Sequence, residues 1–155
     1  MEEITGYPQM PPLDEAEVDE LLAGPHLARL STINPDGTPH TMPIWYEWRD
    51  GQIHVSTQAN QRKVANMARD PRVTVLVDTS DFPYRGVMIY GEAELDYDDA
   101  AAKRVSILER YVGGRDRAVA AADGLAAKWD PVVAHITPTR MISFDYTKGS
   151  LPPLR

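Results

Sequence analysis

The sequence contains no cysteine, so it holds no disulfide framework, no thiol nucleophile and no thiolate metal site. It also lacks any apolar run near the roughly 18 residues that a membrane-spanning helix requires. The first residues, Met1 to Ile4, are acidic where a secretory signal is basic and then apolar. We therefore expect a cytoplasmic protein with no membrane partner.

Positive charge is scarce relative to negative charge. Lysine and arginine together number 16, against 23 aspartate and glutamate residues, which gives a net charge of −7. Nucleic acids are bound by basic surfaces, so this balance argues against nucleic acid as a partner. A single local basic pocket could still hold an anionic small molecule.

Several familiar motifs of nucleotide, metal and hydrolase sites are missing. The sequence has no G-x-G-x-x-G, no G-x-x-x-x-G-K-[ST], no H-E-x-x-H and no G-x-S-x-G. The four histidines lie on separate predicted strands, so we expect no metal site; they are His26, His40, His54 and His135. No side chain identifies itself as a catalytic acid or base, and the catalytic residues are unknown at this point.

The hydrophobic pattern indicates a short arm followed by one domain. Residues 1–13 contain three prolines and little periodicity, which is typical of an N-terminal arm. Residues 14–155 are of ordinary length for a single domain. Asp14 is a plausible N-cap for a helix over residues 14–23. Further helices are predicted over residues 60–69 and 98–112, and from Gly114 to about residue 128.

Between the helices, the chain shows short β-like runs separated by turn signals such as residues 34–37 and 49–51. Most of these runs are joined as hairpins, and they do not alternate with helices as in a doubly wound sheet. We therefore predict the α+β class, with an antiparallel barrel and helices on its outside. The predicted strands are residues 26–33, 39–48, 52–57, 72–78, 86–95, 132–136 and 141–146.

The most informative segment follows the third predicted strand, which ends at Thr57. A helix opens near Asn60 and has Gln61, Arg62 and Lys63 in its first turn. The free N–H groups and the dipole of a helix start attract anions, whereas cations there oppose the dipole unless a negative partner is present. A bound phosphate would be such a partner. The alternative is a hydrated helix start whose two cations face water.

A series of short motifs runs in order along the chain: Gly37-x-Pro39, Thr57-x-x-x-x-Arg62-Lys63, Asn66 with Asp70-Pro71-Arg72-Val73, Tyr90-Gly91-Glu92-Ala93-Glu94-Leu95, and Asp145-Tyr146-Thr147-Lys148-Gly149. Their order and spacing resemble the split-barrel family of flavin and deazaflavin oxidoreductases, which includes pyridoxamine phosphate oxidase. The resemblance covers about residues 27–149. It implies a split β-barrel of six to seven strands and a homodimer with the cofactor at the subunit interface.

The resemblance also implies roles for particular residues. Thr57, Arg62 and Lys63 would bind the cofactor phosphate. Gln61, which stands where the oxidases have serine, is included among the cofactor-binding residues. The backbone of four residues on the second strand would line the flavin-type ring, namely Met42, Pro43, Ile44 and Trp45.

Departures from the oxidase pattern separate the possible cofactors. Met42 replaces an arginine of the oxidases and Glu47 replaces a lysine, which weakens the case for FMN and for pyridoxine phosphate as a substrate. Lys63 and the ending over residues 145–149 resemble the branch that uses coenzyme F-420, a deazaflavin. We therefore expect a reductase that transfers a hydride from the reduced deazaflavin to a small, conjugated organic acceptor. The alternatives are an FMN-binding protein like pyridoxamine phosphate oxidase and a non-catalytic carrier of such a cofactor or of haem.

Overall fold

The computed structural model describes residues 4–6 and 11–149. Within these ranges the chain forms four helices and seven strands. The helices are α1 (Glu15–Ala23), α2 (Arg62–Arg69), α3 (Ala100–Val112) and α4 (Arg115–Ala126). The strands are β1 (Ala28–Ile33), β2 (Pro39–Ile44), β3 (Tyr46–Arg49), β4 (Gln52–Gln58), β5 (Arg72–Asp78), β6 (Arg85–Asp96) and β7 (Pro131–Asp145).

The seven strands form one curled antiparallel sheet with the order β2-β1-β5-β6-β7-β4-β3. Three pairs are hairpins: β1 with β2, β3 with β4, and β5 with β6. β6 pairs with β7 although α3 and α4 lie between them in the chain, and the pairs of β1 with β5 and of β4 with β7 join strands that are not consecutive. The predicted α+β split barrel with peripheral helices is confirmed. None of the helices in the described ranges has both the length and the hydrophobicity that a membrane span requires.

The core follows from the period of two along each strand. In β4 and β5 every second residue is buried, and Ile53, Val55, Val73, Val75 and Val77 all join one hydrophobic cluster. The intervening side chains lie on the outer face of the sheet, where α3 packs across β4 and β7. The sheet thus separates an apolar interior from an outer surface against which helices pack.

Local signals explain how two of the helices are placed. Asp14 caps α1 as predicted: its carboxylate accepts a hydrogen bond from the Glu17 backbone N–H, and the Glu17 carboxylate accepts one from the Asp14 N–H. Helix α3 has two buried faces. Ala100, Arg104 and Ile107 are buried along one stripe, whereas Leu108, with Val105 and Val112, packs in a second cluster with α4.

The predicted second strand over residues 39–48 is in fact two strands, β2 and β3, separated at Trp45. The chain changes its partner strand at this point, because β2 pairs with β1 and β3 pairs with β4. Tyr46 is fully buried; its backbone N–H donates to the Tyr111 hydroxyl on α3 at 3.2 Å, and its hydroxyl donates to the Leu22 carbonyl at 3.0 Å. The pairing of distant strands sets this break, and the local pattern does not reveal it.

The last two predicted strands, residues 132–136 and 141–146, are one strand, β7. The segment around Pro138 has the composition of a turn, yet it continues the sheet as an irregularity. Gly91 of β6 pairs with Pro138, and the register shifts between Tyr90 and Gly91. A bulge accommodates a proline that cannot donate to the ladder, so the strand bends without ending.

The predicted arm over residues 1–13 contacts the domain where it is described. Thr5 forms a parallel bridge with Ile142 of β7, and the Leu13 N–H donates to the Ser143 hydroxyl at 2.8 Å. Leu13 is buried and belongs to the main hydrophobic cluster. Residues 1–3 and 7–10 of the arm lie outside the described ranges.

Candidate cofactor site

A cavity of about 410 Å³ opens where β4 ends and α2 begins. The β2–β3 junction forms one side of it, and α3 with the end of α4 forms the other. Its lining is mostly apolar with a few polar and cationic groups. The lining residues are Leu27, Pro43, Ile44, Trp45, Ser56, Thr57, Gln58, Lys63, Arg104, Ile107, Leu108 and Leu125.

Five of the eight predicted cofactor-binding residues line this cavity, namely Pro43, Ile44, Trp45, Thr57 and Lys63. Thr57 and Lys63 lie close together because β4 runs directly into α2. Residues 43–45, at the β2–β3 junction, line the same opening. The structure does not bring the other three predicted residues into this lining.

The start of α2 differs slightly from the prediction. The helix begins at Arg62, so Gln61 is the N-cap, and its side chain makes no capping hydrogen bond. Arg62 and Lys63 are the first two helical residues, and the first turn has no acidic residue. The Val64 N–H donates to the Gln61 carbonyl at 3.0 Å, whereas the backbone N–H groups of Arg62 and Lys63 have no partner within the helix. The positive end of α2 is therefore not compensated by its own sequence.

Lys63 combines charge with partial burial. Its side chain lines the cavity, and the burial lowers the pKa of the ammonium group from its usual value. It makes no hydrogen bond or ion pair with any residue of the described ranges. An anion in the cavity would offset the cost of burying this charge.

Three predicted residues lie elsewhere. Arg62 lines a separate depression together with Asp36 and His40. Met42 lies on the edge strand β2 with 41% of its surface exposed, and Gln61 is exposed at the helix start. The three remain predicted cofactor-binding residues, but they do not line the cavity that Lys63 lines.

The ring of Trp45 lines the cavity, and Tyr111 supports this ring from outside the lining. The rings of Trp45 and Tyr111 stack with their centroids 4.8 Å apart and their planes 2° from parallel. The Tyr111 hydroxyl donates to the His26 carbonyl at 2.8 Å, which fixes this ring against the sheet. Trp45 therefore has a supported, flat surface at the cavity mouth, with 41% of the residue exposed.

Sequence reasoning missed Arg104, a buried arginine on α3 that also lines the cavity. Its position was detectable in principle, because Ala100, Arg104 and Ile107 follow the spacing of one helix face. The apolar stripe of α3, with Val105, Leu108 and Val112, lies on a different face, and a charged residue on a buried face gives no hydrophobic signal. Among the described residues, no cluster of histidine and carboxylate side chains suits a metal ion.

With the geometry established, the relatives of this chain can be considered. The sequence model of the family described as pyridoxamine 5'-phosphate oxidase matches residues 14–143. The chain belongs to this family. No curated protein sequence gives a significant match.

Solved structures support the same family assignment. The chain is similar to a conserved hypothetical protein, Rv2991 of Mycobacterium tuberculosis, with 32% identity, a TM-score of 0.81, and coverage of 97% of this chain and 96% of the other. It is also similar to an F-420 reductase, with 26% identity, a TM-score of 0.66, and coverage of 79% and 94% respectively. An FAD-binding protein of Mesorhizobium loti, at 22% identity with a TM-score of 0.58 and coverage of 84% and 91%, shares the fold.

Proposed function

We propose that this protein is an oxidoreductase that uses coenzyme F-420 to transfer a hydride to a small, conjugated organic acceptor. The observation that carries the proposal is a cavity with an uncompensated cation, Lys63, at a helix start and a flat aromatic wall at its mouth. The similarity to an F-420 reductase supports the choice of cofactor.

The residues present fit the phosphate group of such a cofactor. A phosphate at the start of α2 would accept hydrogen bonds from free backbone N–H groups and from the Lys63 ammonium. Thr57 lies at the same end of β4 and lines the cavity, although its side chain alternates with Ile53 and Val55 onto the buried face of the sheet. Arg62 is in the first turn of α2 and adds positive potential from outside the cavity.

The ring of the cofactor would lie along the β2–β3 junction, against Pro43, Ile44 and Trp45. When bound, a reduced deazaflavin supplies a hydride donor. The protein residues would bind and orient it, and the apolar lining would exclude water from the reacting atoms. Hydride transfer needs a close and aligned approach of donor and acceptor, so positioning is the main contribution expected of this chain.

Features of this chain argue for the deazaflavin over FMN. Met42 and Glu47 replace two strand cations of the oxidases. Glu47 is also engaged within the protein, because its carboxylate accepts hydrogen bonds from Arg49 at 2.7 Å and from the Ser106 hydroxyl at 2.8 Å. That carboxylate adds negative charge near β3 and cannot serve as a donor to a phosphate.

We also propose that the protein acts as a homodimer. The strands β2 and β3 lie at the two ends of the sheet order. Leu27 and Trp45 line the cavity and remain 43% and 41% exposed, and Met42 on β2 is similarly exposed. A second copy that covers these residues would complete the cavity and shield the ring.

A parallel titration tests the cofactor. Purified apoprotein is titrated with coenzyme F-420 and with FMN, and binding is followed by fluorescence. We expect tighter binding of F-420, and we expect Met42→Arg to improve the affinity for FMN. Preferential binding of FMN by the wild-type protein would make the oxidase-like alternative correct.

Turnover separates an enzyme from a carrier. The protein is mixed with reduced F-420 and a panel of quinones and enones, and oxidation of the cofactor is recorded. We expect oxidation faster than in buffer with at least one acceptor. Tight binding without any acceleration over this panel would favour the carrier.

A further inference from the structure

Arg104 on α3 is a charged side chain held under the surface of the protein. Only 2% of the residue is exposed. Its Nε donates to the Ser56 hydroxyl at 2.6 Å, and its Nη2 donates to the Thr57 carbonyl at 2.6 Å. Its Nη1 is buried and has no hydrogen-bond partner.

No carboxylate of the described residues pairs with Arg104. Three acidic residues of α3, β3 and β6 are engaged elsewhere. Glu47 binds Arg49 and Ser106, Asp96 binds Lys103 and His135, and Glu109 pairs with Arg115. The two acceptors that Arg104 does have, a hydroxyl and a carbonyl, are neutral.

A buried charge without a counter-ion is costly, and proteins almost always pair one. Burial also lowers the pKa of the Arg104 guanidinium, yet arginine stays charged at any ordinary pH. A leucine or methionine would fill this stripe of α3 at no electrostatic cost. The retained arginine therefore suggests that an anion from outside the chain completes its surroundings.

The location of Arg104 indicates where that anion would lie. Arg104 lines the cavity that Lys63 also lines, and it is bonded to Thr57, close to the point where β4 passes into α2. Two cations from different helices thus border the Thr57 end of one cavity. Arg62, by contrast, lines a different depression, beside Asp36.

We propose that Arg104 binds the cofactor phosphate together with Lys63. The inference rests on the proposed cofactor site, but it concerns the phosphate group shared by F-420 and FMN and does not depend on which of them binds. It assigns a cofactor-binding residue that lies outside the motifs of the sequence.

Affinity measurements on four variants test this role. Arg104→Met removes the charge and keeps much of the side-chain volume, Arg104→Lys keeps the charge, and Lys63→Met removes the other cation. Arg117→Met, on the exposed surface of α4, is the matched control. Each variant is titrated with F-420, with FMN and with inorganic pyrophosphate after circular dichroism has shown that it folds.

We expect Arg104→Met to weaken binding of the preferred cofactor and of pyrophosphate by about tenfold or more, since hydrogen bonds to charged groups are strong. Arg104→Lys should lose less affinity than Arg104→Met, and Arg117→Met should bind both ligands as tightly as the wild type does. The dependence of affinity on salt should also become shallower in Arg104→Met. A purely structural arginine would lower thermal stability without changing either affinity or salt dependence, and that result would overturn the proposal.

A measurement on the wild-type protein covers the case in which Arg104→Met does not fold. Arginine side chains are labelled with ¹⁵N, and the Arg104 Nε resonance, assigned with Arg104→Lys, is followed as pyrophosphate is added. We expect the Arg104 Nε resonance to shift progressively until the site is saturated with pyrophosphate. A resonance that does not move while pyrophosphate binds would contradict the proposal.

These experiments separate the two proposals. Wild-type protein that binds neither F-420 nor FMN but binds pyrophosphate through Arg104 would refute the proposed function and keep the anion site. Wild-type protein that binds F-420 with an affinity unchanged in Arg104→Met would keep the function and refute the role of Arg104.

Discussion

Lys63 is the residue on which the phosphate site depends most directly. It is a half-buried cation at a helix start with no anionic partner in the described chain. We predict that Lys63→Met weakens cofactor binding by roughly tenfold or more, because a hydrogen bond to a charged group contributes about 1.5–3 kcal/mol. Isothermal titration at moderate salt measures the dissociation constant.

The neighbouring arginine provides the comparison for that prediction. Arg62→Met should have a smaller effect than Lys63→Met, because Arg62 lines the depression beside Asp36 and not the cavity. If Arg62→Met weakens binding more than Lys63→Met does, the phosphate lies on the other side of α2.

The pH dependence of binding follows from the same lysine. Burial lowers the pKa of Lys63, so its ammonium loses its proton at a lower pH than the ordinary 10.5. Binding of the phosphate requires the charged form, so affinity should fall as the pH rises through this lowered pKa. Titrations between about pH 7 and 10 test this, since a solvated lysine titrates mainly near the upper end of that range.

Lys63→Arg is the control for the pH prediction. Arginine keeps its charge throughout the range, so this variant should show a flatter pH profile than the wild type. If titrations extended past the ordinary lysine pKa of 10.5 show a wild-type profile as flat as that of Lys63→Arg, the ammonium is not part of the binding equilibrium.

At the level of single residues, sequence reasoning identified much of the site because β4 and α2 are contiguous. Thr57 and Lys63 are six positions apart, and a strand that runs into a helix brings them together. Arg104 was missed for the opposite reason. It reaches the end of β4 from a helix more than 40 residues further along the chain, and its hydrogen bonds are visible only in three dimensions.

At the level of elements, the junction of β6 and β7 determines how the sheet bends. A Cβ placed on Gly91 would lie 2.7 Å from the Thr137 carbonyl oxygen and 2.9 Å from Ile136 Cγ2. We predict that Gly91→Ala lowers the free energy of unfolding by about 1–3 kcal/mol, the usual cost of overpacking. Urea denaturation of the apoprotein measures it.

Gly124→Ala is the control for this substitution. Gly124 lies within α4, and an added Cβ there would meet nothing within 4 Å. The same change should therefore stabilise the protein slightly, by up to about 1 kcal/mol, through helix propensity. Equal effects at Gly91 and Gly124 would show that the approach of β6 to β7 tolerates a side chain.

The elements also show which features a local pattern can predict. Alternating burial in β4 and the N-cap of α1 at Asp14 are local properties, and both were predictable. The break at Trp45 coincides with a change of partner strand from β1 to β4, and the continuity of β7 through Pro138 depends on pairing with Gly91. Contacts between distant segments produced both differences.

At the level of the whole molecule, the exposed rim of the cavity supports a dimer. We predict that light scattering coupled to size exclusion gives twice the monomer mass of 17.3 kDa. Leu27→Asp, at the rim, should shift the protein toward the monomer, because it places a charge in the expected apolar contact.

Tyr97 is exposed and lies outside the cavity lining, so a substitution there is the control for the dimer prediction. Tyr97→Asp should leave the mass unchanged. A wild-type protein that elutes at 17.3 kDa at tens of micromolar would contradict the dimer and would leave the cavity open at its mouth in solution.

The central claim is that the cavity between β4, α2 and α3 binds the phosphate of a flavin-type cofactor. A crystal structure of the protein with coenzyme F-420 tests it most directly. We predict a phosphate oxygen within hydrogen-bond distance of Lys63 Nζ, with the ring against Pro43, Ile44 and Trp45. A structure in which F-420 is bound elsewhere and the Lys63 side chain is directed into solvent would contradict the account.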